Sequence, residues 1–369
     1  MNKILADNGI EEMVAWEDGL RGTNKDQYET SSVAVNFWET LFWGGINGLA
    51  DIADDGFDII MSNPDYLYFD FPYEVSPEER GYYWAARFNS VYKVFTFAPE
   101  NLAQNAETST DRDGNEMSVT TPSVTAPTIR GMQGQTWSET IRTDDQYYEM
   151  AFPRVLAVAE RAWHRASWEL DWSPGEIYNA TTGHVPKEDL ATDYHGFVTK
   201  LGCNEMFKMK KLGINYRVPP PGASIDASGI LTANSELPCT IIMHSLDEGN
   251  TWSKYSGPVT VGSDKVVYSQ SVSSDGALQS RVVTIDEECA DCGEKLDSAA
   301  LSEGEATTTV QSEYSSGGNA LKLASDLSVM VDMGKNFDHD ADCSMGDWGL
   351  CYTQSVMIDY RGTENYLNR

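Results

Sequence analysis

Residues 131–139 read Gly131-Met132-Gln133-Gly134-Gln135-Thr136-Trp137-Ser138-Glu139 and place an indole two positions before a carboxylate. In extended backbone, residues two apart point to the same side. An indole covers the C–H face of a pyranose ring, and a carboxylate beside it accepts from the ring's hydroxyls. The pair therefore suits a sugar. Other aromatic rings recur at comparable places. Trp16 and Trp38 fall at or near the ends of strand-like runs, Tyr68 lies just beyond a third, and Trp84 follows. A lone tryptophan is most simply read as core packing. Rings at the ends of several parallel strands converge on one face, where sites form, and that convergence favours binding.

The elements that must position these rings alternate. Residues 1–9 read as the end of an amphipathic helix. Short apolar runs at 13–16, 32–38, 58–62 and 131–137 read as strands. Between them, Ile46, Leu49 and Ile52 keep helical spacing as far as Gly56, a left-handed cap. Asp144 and Asp145 open one long helical pattern through Trp163, with acids in its first turn. Strands alternating with helices argue for a parallel α/β sheet or barrel. The polar segment 102–127 interrupts the rhythm and reads as a surface insertion. Asp111-x-Asp113-Gly114 within it reads as a plain turn, because a calcium loop needs more oxygen ligands at set spacing.

Acids outnumber bases 57 to 26, for a net charge of −31. Such a field repels phosphate backbones, so nucleic acid is excluded as a partner and a neutral substrate fits better. No apolar run approaches membrane-spanning length, and the first residues do not read as a signal peptide. The five histidines have no partner at ligand spacing; no metal and no cofactor is expected.

Residues 186–212 read as helical, with Leu190, Tyr194, Phe197, Leu201 and Met209 on or near one face. Pro219-Pro220-Pro221-Gly222 marks a boundary. Short alternating runs at 229–233, 239–244, 265–272 and 280–285 then give an all-β sandwich pattern. Beyond 287 come Cys289-x-x-Cys292, a Ser/Thr/Glu-rich tract, alternating Asp338, Asp340 and Asp342, and Cys343 and Cys351. The cysteine spacing is too long for a zinc ribbon, so disulfides are expected if the protein is exported. The aspartates read as a solvated acidic loop.

Three motifs together resemble a known family. They are Asn63-Pro64-Asp65-Tyr66-Leu67-Tyr68-Phe69-Asp70-Phe71-Pro72-Tyr73-Glu74, then Glu79-Arg80-Gly81-Tyr82-Tyr83-Trp84-Ala85, then Gly131-Met132-Gln133-Gly134 with Trp137-Ser138-Glu139. They are similar to those of the bacterial chitobiases, β-N-acetylhexosaminidases of glycoside hydrolase family 20. The resemblance implies that residues 1–172 are the second half of a (β/α)8 TIM-type barrel, about strands 5–8. Residues 173–218 would connect it to an immunoglobulin-like domain at 219–286, with an acidic, Cys-containing region at 287–369.

The resemblance also implies a mechanism. In this family the substrate's acetamido oxygen attacks the anomeric carbon, a Glu protonates the leaving oxygen, and an adjacent Asp orients the acetamido group, an exception to the usual two-carboxylate scheme. Carried over by motif, Trp16, Trp38 and Trp137 would wall the acetamido pocket, and Tyr68 would position the acetamido oxygen. Asp70 would support that Tyr or the pocket floor. Glu139 would hold outer hydroxyls, and Trp84 would stack on the next sugar. The implied substrates are chitobiose and chitooligosaccharides. The family is periplasmic, outer-membrane-associated or extracellular.

The family's acid pair lies in a His-x-Gly-x-Asp-Glu motif at the end of the fourth barrel strand, and these 369 residues lack that motif. Neither Glu17-Asp18 nor Pro64-Asp65 matches it. The expectation is a chain corresponding to the carboxy-terminal part of a longer enzyme, inactive alone, for which an amino-terminal half is the missing partner. The alternative is a non-catalytic carbohydrate-binding protein of the same descent.

Overall fold

The computed structural model describes residues 1–262 and 266–285, and beyond them only the backbone of four short strands, Thr308–Gln311, Asn319–Lys322, Val329–Val331 and Val356–Ile358. Cys289, Cys292, Cys343, Cys351 and the three alternating aspartates lie outside the described residues. The chain divides into two compact units. The first comprises residues 1–222, 234–243 and 270–282; the second comprises 223–233, 244–269 and 283–369.

The first unit opens with α1 (Asn2–Asp7), of which no residue is buried. It is a helix, but it has no buried apolar face. A four-stranded sheet follows, with order β1 (Glu12–Trp16), β2 (Ser32–Phe37), β3 (Asp58–Met61) and β5 (Ile129–Met132). All three pairings are parallel. The inner strand β2 is an unbroken apolar run because both of its faces are covered: Val33, Ala34, Val35 and Phe37 are fully buried. Between β2 and β3, α2 (Gly45–Asp54) buries Ile46, Leu49 and Ile52, and the turn after it passes Gly56 at φ +82°.

The sheet curls. In a flat sheet, three strand spacings would put β1 about 14 Å from β5. Yet Arg130 on β5 pairs with Glu12 on β1, and at the other end Trp16 meets Trp137, ring centroids 6.3 Å apart. Curling brings the ends of the outermost strands face to face.

Three sequence expectations need correction here. The fourth strand ends at Met132, so Trp137 and Glu139 lie in the segment beyond it. The helix expected over 144–163 is two, α5 (Asp144–Ala151) and α6 (Arg154–Trp163). Pro153 has no amide to donate and disfavours helical backbone at Phe152, which is extended. The segment 102–127 is not all surface. Its start, Leu102–Glu107, is a fully buried 3-10 helix. Side chains make that burial possible: Asn105 serves both backbone groups of Ala98, and the Glu107 carboxylate accepts from the amides of His184 and Val185. Only then comes the exposed turn, capped by Asp111 accepting from the Asp113 and Asn115 amides. It leads into β4 (Ser118–Thr120), paired with β6 (Ile177–Asn179).

Between β3 and β4 lie α3 (Pro64–Leu67) and α4 (Val91–Phe95). The helical stretch 186–212 is α7 (Lys187–Lys200), one wide π turn over Leu201–Glu205, and α8 (Met206–Lys211). Leu190, Leu201 and Met209 are buried, and Tyr194 and Phe197 pack on the same core. Cys203 in the π turn is disulfide-bonded to Cys239.

Among its described residues, the second unit pairs its strands antiparallel. Strand Val259–Thr260, β8 (Ile230–Asn234) and β7 (Gly222–Ile225) form one sheet. Residues 267–269 pair with 283–285. Leu231, Val261 and Val267 are its buried centre.

Candidate functional site

Each ring of the site is delivered by the end of an element. Trp16 closes β1, and Trp38 follows β2 directly. Beyond β3, α3 hands the chain to Tyr68. There residues 67–69 run alongside the segment after β5: the Phe69 amide donates to the Gln135 carbonyl at 2.7 Å and the Gln135 amide to the Leu67 carbonyl at 2.8 Å. This short parallel bridge sets Trp137 against Tyr68. Gly134 eases the approach, because a Cβ there would sit a tight 3.1 Å from the Phe69 ring.

The loop carrying Tyr68 and Asp70 is irregular, and buried carbonyls need partners. Asn89 donates to the carbonyls of Tyr66 at 2.6 Å and Tyr68 at 2.9 Å. Arg154, fully buried at the start of α6, donates to those of Phe69, Phe71 and Asn89 at 2.8, 2.8 and 3.0 Å. Its guanidinium lies 3.9 Å from the centre of the Tyr73 ring. At Gly81, with φ +142°, a Cβ would fall 2.4 Å from the Pro72 nitrogen, so the return of the chain toward Trp84 requires glycine there.

The result is a continuous aromatic cluster. Tyr68 lies edge-on to Trp137 at 5.8 Å and tilted against Trp84 at 5.9 Å, and Phe71 backs Trp84 at 5.4 Å. Trp38 packs on the same group. Asp70 is buried, and its Oδ2 accepts from the Trp84 indole N–H at 3.0 Å. Asp70 thus seats Trp84. Its Oδ1 has no hydrogen-bond partner among the described residues. Burial pushes the Asp70 carboxyl up to about 6; the Trp84 bond opposes this and the nearby Glu139 charge adds to it. The Tyr68 phenol is pushed well above its ordinary value by burial, then by the charges of Asp70 and Glu17, while the Trp137 indole N–H pulls the other way. It is a hydroxyl that stays protonated. Glu139 is exposed, and Trp137 partly so.

The structure therefore brings together Trp16, Trp38, Tyr68, Asp70, Trp84 and Trp137 of the residues singled out from sequence, while Glu139 is exposed just beyond Trp137 and acts on Asp70 through its charge. Sequence reasoning missed two others. Glu17 is 1% exposed; Oε2 accepts from the Trp38 amide and Oε1 from Arg21, each at 3.2 Å. Burial pushes its carboxyl up to about 7. Its position directly after a strand-ending tryptophan was the available signal. Trp43 stands tilted against Trp84 at 6.2 Å; it follows the strand end by five residues and reads in sequence as part of the next helix. Chemically, the cluster offers apolar faces, one protonated phenol and an unpartnered carboxyl oxygen, a combination suited to a neutral ring bearing hydroxyls and an amide.

Residues 1–166 match the glycosyl hydrolase family 20 catalytic domain, and residues 205–282 match the chitobiase/beta-hexosaminidase C-terminal domain. An N,N'-diacetylchitobiase of Vibrio harveyi is 44% identical over 286 residues, covering 77% of this chain and 32% of that protein. A beta-hexosaminidase of Vibrio vulnificus is 45% identical over 255 residues, covering 65% of this chain and 29% of that one. A solved GH20 beta-N-acetylhexosaminidase from Streptomyces coelicolor A3(2) aligns over 59% of this chain and 35% of its own, at 22% identity and a TM-score of 0.40. The chain spans about a third of the length of the curated relatives it matches.

Proposed function

We propose, from the premise that residues 1–166 belong to glycosyl hydrolase family 20 and residues 205–282 to the C-terminal domain of its chitobiases and hexosaminidases, that this chain carries the sugar-binding part of a glycosidase. The enzyme releases terminal non-reducing N-acetylglucosamine from chitobiose and chitooligosaccharides by substrate-assisted, retaining hydrolysis. The strands β1, β2, β3 and β5 are strands 5–8 of its barrel. Trp16, Trp38 and Trp137 enclose the acetamido methyl, which needs an apolar box. The Tyr68 hydroxyl donates to the acetamido oxygen and holds it under the anomeric carbon, fixing a near-attack geometry. Asp70 Oδ1 and Glu139 accept from ring hydroxyls, and Trp84 stacks on the following sugar. The acid and its neighbouring Asp come from outside these 369 residues.

The observation that carries this reading is the buried Asp70 oxygen left without a partner beside a ring of indoles, since a buried acceptor is normally satisfied. Two measurements test it together. The purified chain should bind N-acetylglucosamine in calorimetry yet release no nitrophenol from a nitrophenyl N-acetylglucosaminide, and co-expression with an amino-terminal family 20 half should restore turnover. Nitrophenol release by the chain alone sinks the missing-acid assignment; absence of sugar binding sinks the site. Binding without turnover, even with the added half, favours the non-catalytic carbohydrate-binding alternative.

A further inference from the structure

The aromatic cluster does not end at Trp84. Trp43 continues it outward, 6.2 Å from Trp84 and tilted by 36°. Trp137, Tyr68, Trp84 and Trp43 thus form a row of four rings in successive contact, each step close to 6 Å. Trp43 is 48% exposed, unlike Tyr68 at 4%. A scattered surface tryptophan needs no explanation, but this one is seated. Thr40 caps the turn, its Oγ1 accepting from the Trp43 amide at 3.2 Å. Gly44 follows in left-handed conformation at φ +89°, and a Cβ on Gly45 would lie 2.6 Å from the Thr40 carbonyl oxygen. Phe42 braces the ring at 5.2 Å. The neighbouring ring is held as firmly: Trp84 is bonded to Asp70 through its indole and to Arg112 through its carbonyl, at 3.0 Å each.

We propose that Trp43 is an outer sugar platform, which stacks on a pyranose beyond the one covered by Trp84 and so favours chitotriose and longer chains over chitobiose. This rests on the reading of the Tyr68–Trp84 cluster as the N-acetylglucosamine site, with which it is continuous. The occupant is the reducing-side continuation of a chitooligosaccharide. A pyranose presents a flat C–H face, which matches the half-exposed Trp43 indole.

The test measures affinity of the 369-residue chain for N-acetylglucosamine, chitobiose and chitotriose by calorimetry, in the wild type, Trp43→Ala and Trp43→Phe. The wild type should bind chitotriose more tightly than chitobiose. Trp43→Ala should weaken chitotriose about fivefold and leave N-acetylglucosamine and chitobiose nearly unchanged, as expected for loss of one ring-on-ring contact. Trp43→Phe, which keeps an apolar face, should retain most of the affinity. If N-acetylglucosamine binds but chitotriose is indifferent to Trp43→Ala, the platform is overturned and the inner site stands. If Trp43→Ala weakens chitobiose as much as chitotriose, Trp43 only props Trp84, and the platform is again overturned. If the wild type binds none of the three, the inner site fails and the platform with it.

Discussion

Glu17 offers the sharpest quantitative test of the site's architecture. Its side chain is 1% exposed and its carboxyl titrates near 7, against an ordinary 4.5. The cause is burial; the bonds from Trp38 and Arg21 reduce the shift without cancelling it. Between these two pH values the folded chain keeps a proton that the unfolded chain releases. Stability from this group is therefore fully present below pH 4.5 and is lost as pH rises to about 7. At about 1.4 kcal/mol per pH unit, the loss is roughly 3 kcal/mol. Glu17→Gln keeps the shape and an oxygen to accept from the Trp38 amide, but has no proton to lose. The variant should match the wild type at pH 4.5 and exceed it by up to about 3 kcal/mol at pH 8. Urea unfolding followed by tryptophan fluorescence at pH 4.5, 6 and 8 reads this directly. Taking the difference between the two proteins cancels every other titration. A difference that does not change with pH, or that grows toward acid, would refute the assignment of a buried, proton-bearing Glu17.

Two further outcomes follow from the same packing. Arg154→Met removes the donors to the carbonyls of Phe69, Phe71, Asn89 and Met150 and should cost about 4 kcal/mol in urea unfolding, at about 1–3 kcal/mol for each group left unpaired and partly offset by relaxation; a cost under about 1 kcal/mol would mean the loop carrying Asp70 is held by something else. Replacing Cys203 and Cys239 together by Ser opens a link spanning 36 residues, which chain entropy values at about 4 kcal/mol; an unchanged melting temperature would show the link to be energetically idle.

Much of the site was legible because strand ends are readable. Apolar runs followed by Trp16, Trp38 and Tyr68 place those rings at C-terminal strand ends, and parallel strands bring such ends to one side. The long motifs around Tyr68, Trp84 and Trp137 did the rest by resemblance. What sequence misread has common physical roots. Leu102–Glu107 looks polar because its Asn and Glu side chains are the hydrogen-bond partners that allow it to be buried. Pro153 divides what periodicity joins. Glu17 and Asp18 are adjacent acids that sequence does not tell apart, and only the burial of Glu17 beneath the Trp38 amide distinguishes them.

By itself, the amino-acid sequence determined the alternation of strands and helices, the family of the first 166 residues, and the identities of the rings that meet. Those depend on local pattern and on motif, which are written along the chain. Tertiary structure alone decided that the sheet curls enough for Trp16 to touch Trp137, that Asp70 seats Trp84 while leaving one oxygen unpartnered, and that Trp43 extends the row. These depend on distances between residues far apart in sequence and on which polar atoms lose water, and neither quantity exists until the chain has packed.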